Sequence, residues 1–199
     1  MRTFPFICLL SLLVACEPAT KETTTSTSNP VEAQETTADN KKGKIPVIKI
    51  VQRTHKFSSA SQPDYFRLVL TGDSITTGNV AFTITAADGQ KIYEEQFTAA
   101  DLEAAMVYEM ETPTAPIRDR EAYILRRMEE FVQEDDFVTP AIPATMRADT
   151  AFVSLTTFKA IQANPSATGF KYLLGKEDGR LLVYDPSQKK AIRYGSFGG

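Results

Sequence analysis

Beyond residue 16 the chain has no cysteine, and in its whole length it has one histidine, His55. The first absence excludes a structural disulfide in the body of the protein. The two together leave too few soft ligands for the sets that hold zinc, so no metal centre is expected. Basic residues are neither numerous nor clustered: 22 Lys and Arg stand against 25 Asp and Glu, for a net charge of −3. Nucleic acid is therefore not an expected partner. No run approaches the roughly 20 apolar residues that cross a bilayer. A glycine-rich phosphate loop and a dinucleotide fingerprint are missing too, and no cofactor is expected.

What is present is unevenly arranged. Both cysteines, Cys8 and Cys16, fall in the opening segment MRTFPFICLLSLLVAC. Arg2 supplies a short positive start, and Phe6 to Val14 supply an apolar stretch of signal-peptide length. The segment ends Leu13-Val14-Ala15-Cys16, with a branched residue, a β-branched residue and a small one ahead of the thiol. This resembles the lipobox of bacterial lipoproteins. The resemblance implies that diacylglycerol is attached to Cys16, that residues 1–15 are removed as a signal peptide, and that the new amine is acylated. Each buried CH₂ contributes about 0.8 kcal/mol, so two or three acyl chains hold a protein lastingly at a membrane. The expected location is the cell envelope, lipid-anchored through Cys16, at the periplasmic or surface face of the outer membrane.

Residues 17–44 read EPATKETTTSTSNPVEAQETTADNKKGK, without an aromatic residue, Leu or Ile. Such a segment buries too little surface to offset chain entropy. With Cys16 it is expected to be a disordered tether over residues 16–44, spanning roughly 30 Å on average as a coil. Residues 45–199 are then a single domain, stable on hydrophobic burial alone. A domain of that size buries roughly two thirds of its unfolded surface.

Within it, Ile45 to Val51 is β-branched and apolar, and Tyr65 to Leu70 alternates with Phe66, Leu68 and Leu70 on one face. Val80, Phe82 and Ile84 repeat that pattern, and Asp88-Gly89 predicts a hairpin turn into Lys91 to Phe97. Thr98-Ala99-Ala100-Asp101 has the form of a capping box and predicts a helix to about Met110, closed by Pro113 and Pro116. Arg118 to Glu134 predicts a second helix with Ile124, Met128, Phe131 and Val132 as its apolar stripe. Asp149 to Ala163 leans helical. Gly169 to Leu174 and Leu181 to Asp185 flank a second hairpin turn, and Ala191 to Tyr194 adds a last strand. The order predicts an α+β fold: an antiparallel sheet with two or three helices packed on one face. In outline this is similar to small lipoproteins of Gram-negative bacteria, a likeness of layout that implies no activity.

One stretch has the appearance of catalysis. Thr71-Gly72-Asp73-Ser74-Ile75-Thr76-Thr77-Gly78 follows an apolar strand and resembles the first block of the GDSL hydrolases. The resemblance implies that Ser74 is a nucleophile. The same family places a histidine base in an Asp-x-x-His block near its C-terminus, and a Gly-x-Asn-Asp block at the oxyanion site. Here His55 lies upstream, and Asn164 stands in Asn-Pro-Ser instead. A serine without a base is a poor nucleophile. The residues of 72–79 are also those that turns prefer, so a connecting loop accounts for them. Glu129, Glu130, Glu134, Asp135 and Asp136 form an acidic run without the spacing of a calcium loop, and read as a solvated face. No catalytic residue is assigned. The expected function is a non-catalytic envelope domain that binds a protein or glycan partner. A serine esterase using Ser74 and a purely structural envelope component are the alternatives.

Overall fold

The computed structural model describes residues 45–198. The expected signal peptide, Cys16 and the expected tether lie outside the described residues. Strands β1 (Val47–His55), β2 (Asp64–Thr71), β3 (Asn79–Thr85) and β4 (Lys91–Thr98) form an antiparallel meander in chain order. The alternation that predicts them is what builds them. Phe66, Leu68 and Leu70 of β2 and Val80, Phe82 and Ile84 of β3 are all fully buried, on one face of the sheet. At the β3–β4 turn Gly89 has φ 89°, and the Asp88 carboxylate accepts from the Gln90 N–H at 2.9 Å. Strand β1 runs past the expected Val51 to His55, because the backbone of polar Gln52, Arg53 and Thr54 stays paired to β2.

The capping box is made: Asp101 N–H donates to the Thr98 hydroxyl at 3.3 Å, and Thr98 N–H donates to the Asp101 carboxylate at 2.7 Å. Helix α1 (Ala99–Glu103) is shorter than expected and tightens into a 3₁₀ turn over Ala104–Tyr108. That turn buries no residue, so nothing holds it in the wider α form. Helix α2 (Ile117–Glu129) buries Tyr123, Ile124 and Met128; Phe131 and Val132 are buried just past its end rather than within it.

A second antiparallel sheet contains β5 (Phe137–Val138), β6 (Gly169–Leu173), β7 (Gly179–Asp185) and β8 (Lys190–Phe197). The stretch that leans helical, Asp149 to Ala163, forms helix α3 over Leu155–Gln162 only, and its N-cap Ser154 hydroxyl accepts from Thr157 N–H at 3.1 Å.

The domain is thus α+β with antiparallel pairing throughout its described strands, but they divide between two four-stranded sheets instead of forming one. The two sheets share a core. Phe66 meets Phe170 with ring centroids 5.1 Å apart, and Phe82 meets Tyr172 at 5.4 Å, both near-perpendicular. A polar clip adds to this packing: the Tyr172 hydroxyl donates to Glu95, lies 2.8 Å from the Tyr93 hydroxyl, and Glu95 pairs with Arg180. Burial, and then the neighbouring Tyr93, push the Tyr172 hydroxyl far above its ordinary pKa.

Leu182 belongs to this shared core, whereas its neighbour Val183 belongs to a second cluster with Tyr194, Phe158 and Ile161. Successive strand residues face opposite ways, so β7 is covered on both faces. Helix α2 packs into the first cluster and α3 into the second. The helices are thus divided between the two clusters. A sheet covered on both sides reads as a continuous apolar run, which is how Leu181-Leu182-Val183 looks.

Candidate functional site

The β1–β2 ladder has two ends, and each carries one of the residues singled out from the sequence. At one end Val47 pairs with Thr71 and Gly72 N–H donates to the Pro46 carbonyl at 3.0 Å. Ser74 sits in the loop just beyond. Its hydroxyl lies 2.7 Å from the Thr77 hydroxyl and accepts from Thr77 N–H at 3.3 Å, closing the loop on itself. The loop is tight where it returns: a Cβ on Gly78 would stand 2.5 Å from Leu70 Cδ1 and 3.1 Å from the Ser74 carbonyl oxygen.

At the other end His55 pairs with Asp64. Seven residue steps along β2 lead from Asp64 to Thr71, roughly 23 Å at about 3.3 Å per step. Ser74 and His55 are not brought together. His55 is engaged locally: Nδ1 lies 3.0 Å from the Lys56 carbonyl oxygen, Nε2 lies 3.2 Å from the Glu134 carboxylate, and the ring stacks on Phe137 at 3.5 Å. Both ring nitrogens face acceptor oxygens, so neither is turned toward a hydroxyl it could deprotonate.

The acidic run is drawn apart in the same way. Glu129 pairs with Lys49 at 2.6 Å and Arg53 at 2.9 Å, Glu134 faces His55, and Asp136 accepts from Gln133 N–H at 2.9 Å. Among the described residues no group of three His, Cys, Asp or Glu side chains is gathered closely enough to hold a metal ion.

Beside His55 opens a cleft of about 760 Å³, within the roughly 300–1,000 Å³ of small-ligand sites. Three parts of the chain form it: the β1–β2 connection over residues 56–60, α3 with the turn that follows it, and the β7–β8 turn at residues 185–187. Two shallower hollows of about 490 and 450 Å³ flank the 104–116 connection. The larger cleft differs in that polar groups converge on it from three separate elements.

Each wall is held by a buried anchor. Asp64, fully buried at the start of β2, accepts from Phe57 N–H at 3.1 Å, from Ser58 N–H and from the Ser58 hydroxyl at 2.7 Å. Asp185, 4% exposed, accepts from Ser187 N–H at 2.9 Å, the Ser187 hydroxyl at 2.7 Å and the Gln188 amide at 2.8 Å. Burial alone would push the Asp185 carboxyl up, but the hydrogen bonds from Ser187 and Gln188 outweigh it and hold the pKa below its ordinary value. The third wall, α3, rests on the second cluster. There the Tyr194 hydroxyl donates to the Ala141 carbonyl at 2.6 Å, and the Gln162 amide donates to the Pro143 carbonyl at 2.9 Å. Burial raises the Tyr194 pKa to about 12.

These anchors consume the charges around the cleft. What remains turned to solvent on its walls is the hydroxyls of Thr156 and Tyr184, the amide of Asn164 and the ammonium of Lys56, over a floor of Ala160, Ile161 and Val183. The Thr156, Tyr184 and Lys56 side chains have no hydrogen-bond or ion-pair partner among the described residues, whereas the Asn164 side-chain oxygen accepts from Ser166 N–H at 3.1 Å and from the Ser166 hydroxyl at 2.8 Å, which leaves only its N–H donors. Sequence reasoning missed this site. Its polar residues are short Ser, Thr and Asn side chains scattered over 130 positions from His55 to Ser187, and no local pattern joins them.

No protein-family model matches the chain, and no curated protein and no solved structure matches it. Among the described residues no helix is long and apolar enough to cross a membrane.

Proposed function

We propose that this chain is an envelope lipoprotein, anchored through lipid on Cys16, whose folded domain is a non-catalytic binding module with its site in the cleft beside His55. The observation that carries the binding assignment is the cleft itself: a concavity of about 760 Å³ with an apolar floor and convergent polar groups, each wall fixed by a buried anchor. Preformed walls lower the ordering cost of binding. Position supports the same reading. The chain enters the domain ahead of Val47, and the cleft lies past the opposite end of β1, beyond His55. A domain tethered at one end thus offers its open site at the other. The anchor rests on the Leu13-Val14-Ala15-Cys16 sequence, and it makes the envelope the place where a partner is met. The Ser74 loop gives no support to an esterase, since its hydroxyl is engaged with Thr77 and His55 is strands away.

Two measurements test the two halves. Palmitate labelling in cells should mark the wild type and not Cys16→Ser; equal labelling would remove the anchor. Crystals soaked with a fragment library should show bound fragments concentrated in the cleft. Fragments found only elsewhere on the surface would remove the binding assignment.

A further inference from the structure

The cleft's chemistry narrows what it takes, given the binding role proposed above. Charged side chains reach its walls, but most are spent. Both Asp185 oxygens are occupied by Ser187 and Gln188, both Asp64 oxygens by Phe57 and Ser58, and His55 faces Glu134. A carboxylate already saturated with donors has little left to offer an incoming cation. Lys56 is the one unengaged charge in the lining among the described residues, and it is exposed at the rim, where a single cation contributes little to affinity. A strongly charged ligand would find no buried counter-charge here, and burying an unpaired charge is costly.

The uncharged part of the lining has its own character. Of its hydroxyls, those of Ser58, Ser59, Thr157, Ser166 and Thr168 bond to Asp64, Ser61, Ser154, Asn164 and Thr139, so the Thr156 and Tyr184 hydroxyls and the Asn164 amide N–H groups are what a ligand would meet unpaired. Short hydroxyl side chains lose little rotamer entropy when they are fixed. A hydroxyl both donates and accepts, so it matches a ligand whose own groups also do both. Between them the floor is made of the small apolar groups Ala160 and Ala167, with Ile161 and Val183 buried beneath. Alternating polar and apolar surface without net charge is what a sugar ring presents, with hydroxyls around its edge and C–H groups on its faces. A fatty acyl chain would leave the Thr156 and Tyr184 hydroxyls and the Asn164 N–H groups desolvated and unpaired. An acidic or basic polymer would gain only Lys56.

We infer that the cleft binds a neutral oligosaccharide segment, its ring edges bonded by Thr156, Tyr184 and the Asn164 N–H groups and its faces laid on the floor of Ala160 and Ala167. A cleft of about 760 Å³ walled by parts of three elements has room for more than a single ring.

The test is calorimetric titration of the detergent-solubilised full chain with defined probes: maltohexaose, cellohexaose and hexa-N-acetylchitohexaose as neutral saccharides, hexagalacturonate as a charged one, and dodecanoate below its micellar range as an acyl ligand. At least one neutral saccharide should bind at micromolar to millimolar concentration. Ala160→Trp places an indole in the cleft from an exposed position on α3, and should weaken that binding by about tenfold or more with an unchanged melting temperature. Lys56→Gln should change it by less than about threefold. If hexagalacturonate or dodecanoate binds and is displaced by Ala160→Trp while no neutral saccharide binds, the ligand class is wrong and the cleft remains a binding site. If no probe binds, or if binding is indifferent to Ala160→Trp, the inference fails together with the role assigned to the cleft.

Discussion

The two ends of the β1–β2 ladder make opposite impressions in sequence and in space. Residues 71–78 carry the one stretch that resembles a catalytic block, yet in the folded chain the Ser74 hydroxyl is engaged with Thr77 inside the loop. Residues 55–60 carry no recognisable pattern, yet they form a wall of the largest cleft described. A short motif records which residue types occur together locally. A site depends on which distant groups the fold brings to one concavity, and on whether their bonding capacity is already used. At the Ser74 end it is used within the loop. At the His55 end the carboxylates and most hydroxyls are used to fix the walls, and Lys56, the Thr156 and Tyr184 hydroxyls and the Asn164 N–H groups are left over.

The comparison breaks most readily at its anchors. Asp64→Ala should cost about 2–4 kcal/mol, because two backbone N–H groups and a hydroxyl lose a buried acceptor. Urea denaturation of the variant measures it, and a change under about 0.5 kcal/mol would mean that the 56–60 wall is not held as described. At the other end Gly78→Ala should cost about 1–3 kcal/mol, since a methyl would press on Leu70 and on the backbone oxygens of Thr71 and Ser74. There the tight return of the chain is at stake, and any binding at the cleft should survive.

A third prediction concerns the support under α3. The folded pKa of Tyr194 is raised to about 12 by burial, above the ordinary value of about 10. A raised folded pKa gives stability that is complete below about pH 10 and is lost as pH rises through about 12, because the unfolded chain releases its proton first. Tyr194→Phe should remove that contribution, so the wild type should lose its advantage over the variant across that window. Parallel stability curves for the two proteins between pH 9 and pH 12, read from chemical denaturation, would contradict the burial assigned to this hydroxyl. The smallest effect belongs to Ser74→Ala. It removes one part-exposed hydroxyl contact with Thr77, and should change stability by no more than about 0.5 kcal/mol. Purified full chain should hydrolyse short acyl esters no faster than a blank. Turnover that Ser74→Ala abolishes would revive the esterase.

Much of the architecture is legible in the sequence because it is set by local rules. The alternation in β2 and β3, the Asp88-Gly89 turn and the Thr98–Asp101 box all read directly and all form. What could not be read was partition. The hairpin of Gly169 to Leu174 with Gly179–Asp185 reads from the sequence and forms, but nothing local says that its other side pairs with Phe137-Val138 rather than extending the first meander. A two-residue strand such as β5 has too little length to show any period. The Ile124, Met128, Phe131 and Val132 stripe shows the limit differently: all four are buried, but only two lie on the helix, since burial fixes a face and not an end. The cleft was the least legible feature. Thr156, Asn164 and Tyr184 are ordinary residues of a helix, a turn and a strand, and only the folding of α3 against the second sheet makes them neighbours.

The central claim is that the His55 end of the domain, and not the Ser74 end, is where this protein meets its ligand. The most direct measurement is a titration of the isotope-labelled full chain with a mixture of small hydroxylated fragments, followed through its backbone amide resonances. The account predicts saturable shifts at residues 56–60, 156–168 and 185–187, with residues 72–79 unmoved. Saturable shifts at residues 72–79, or uniform small shifts with no focus at the cleft, would contradict it.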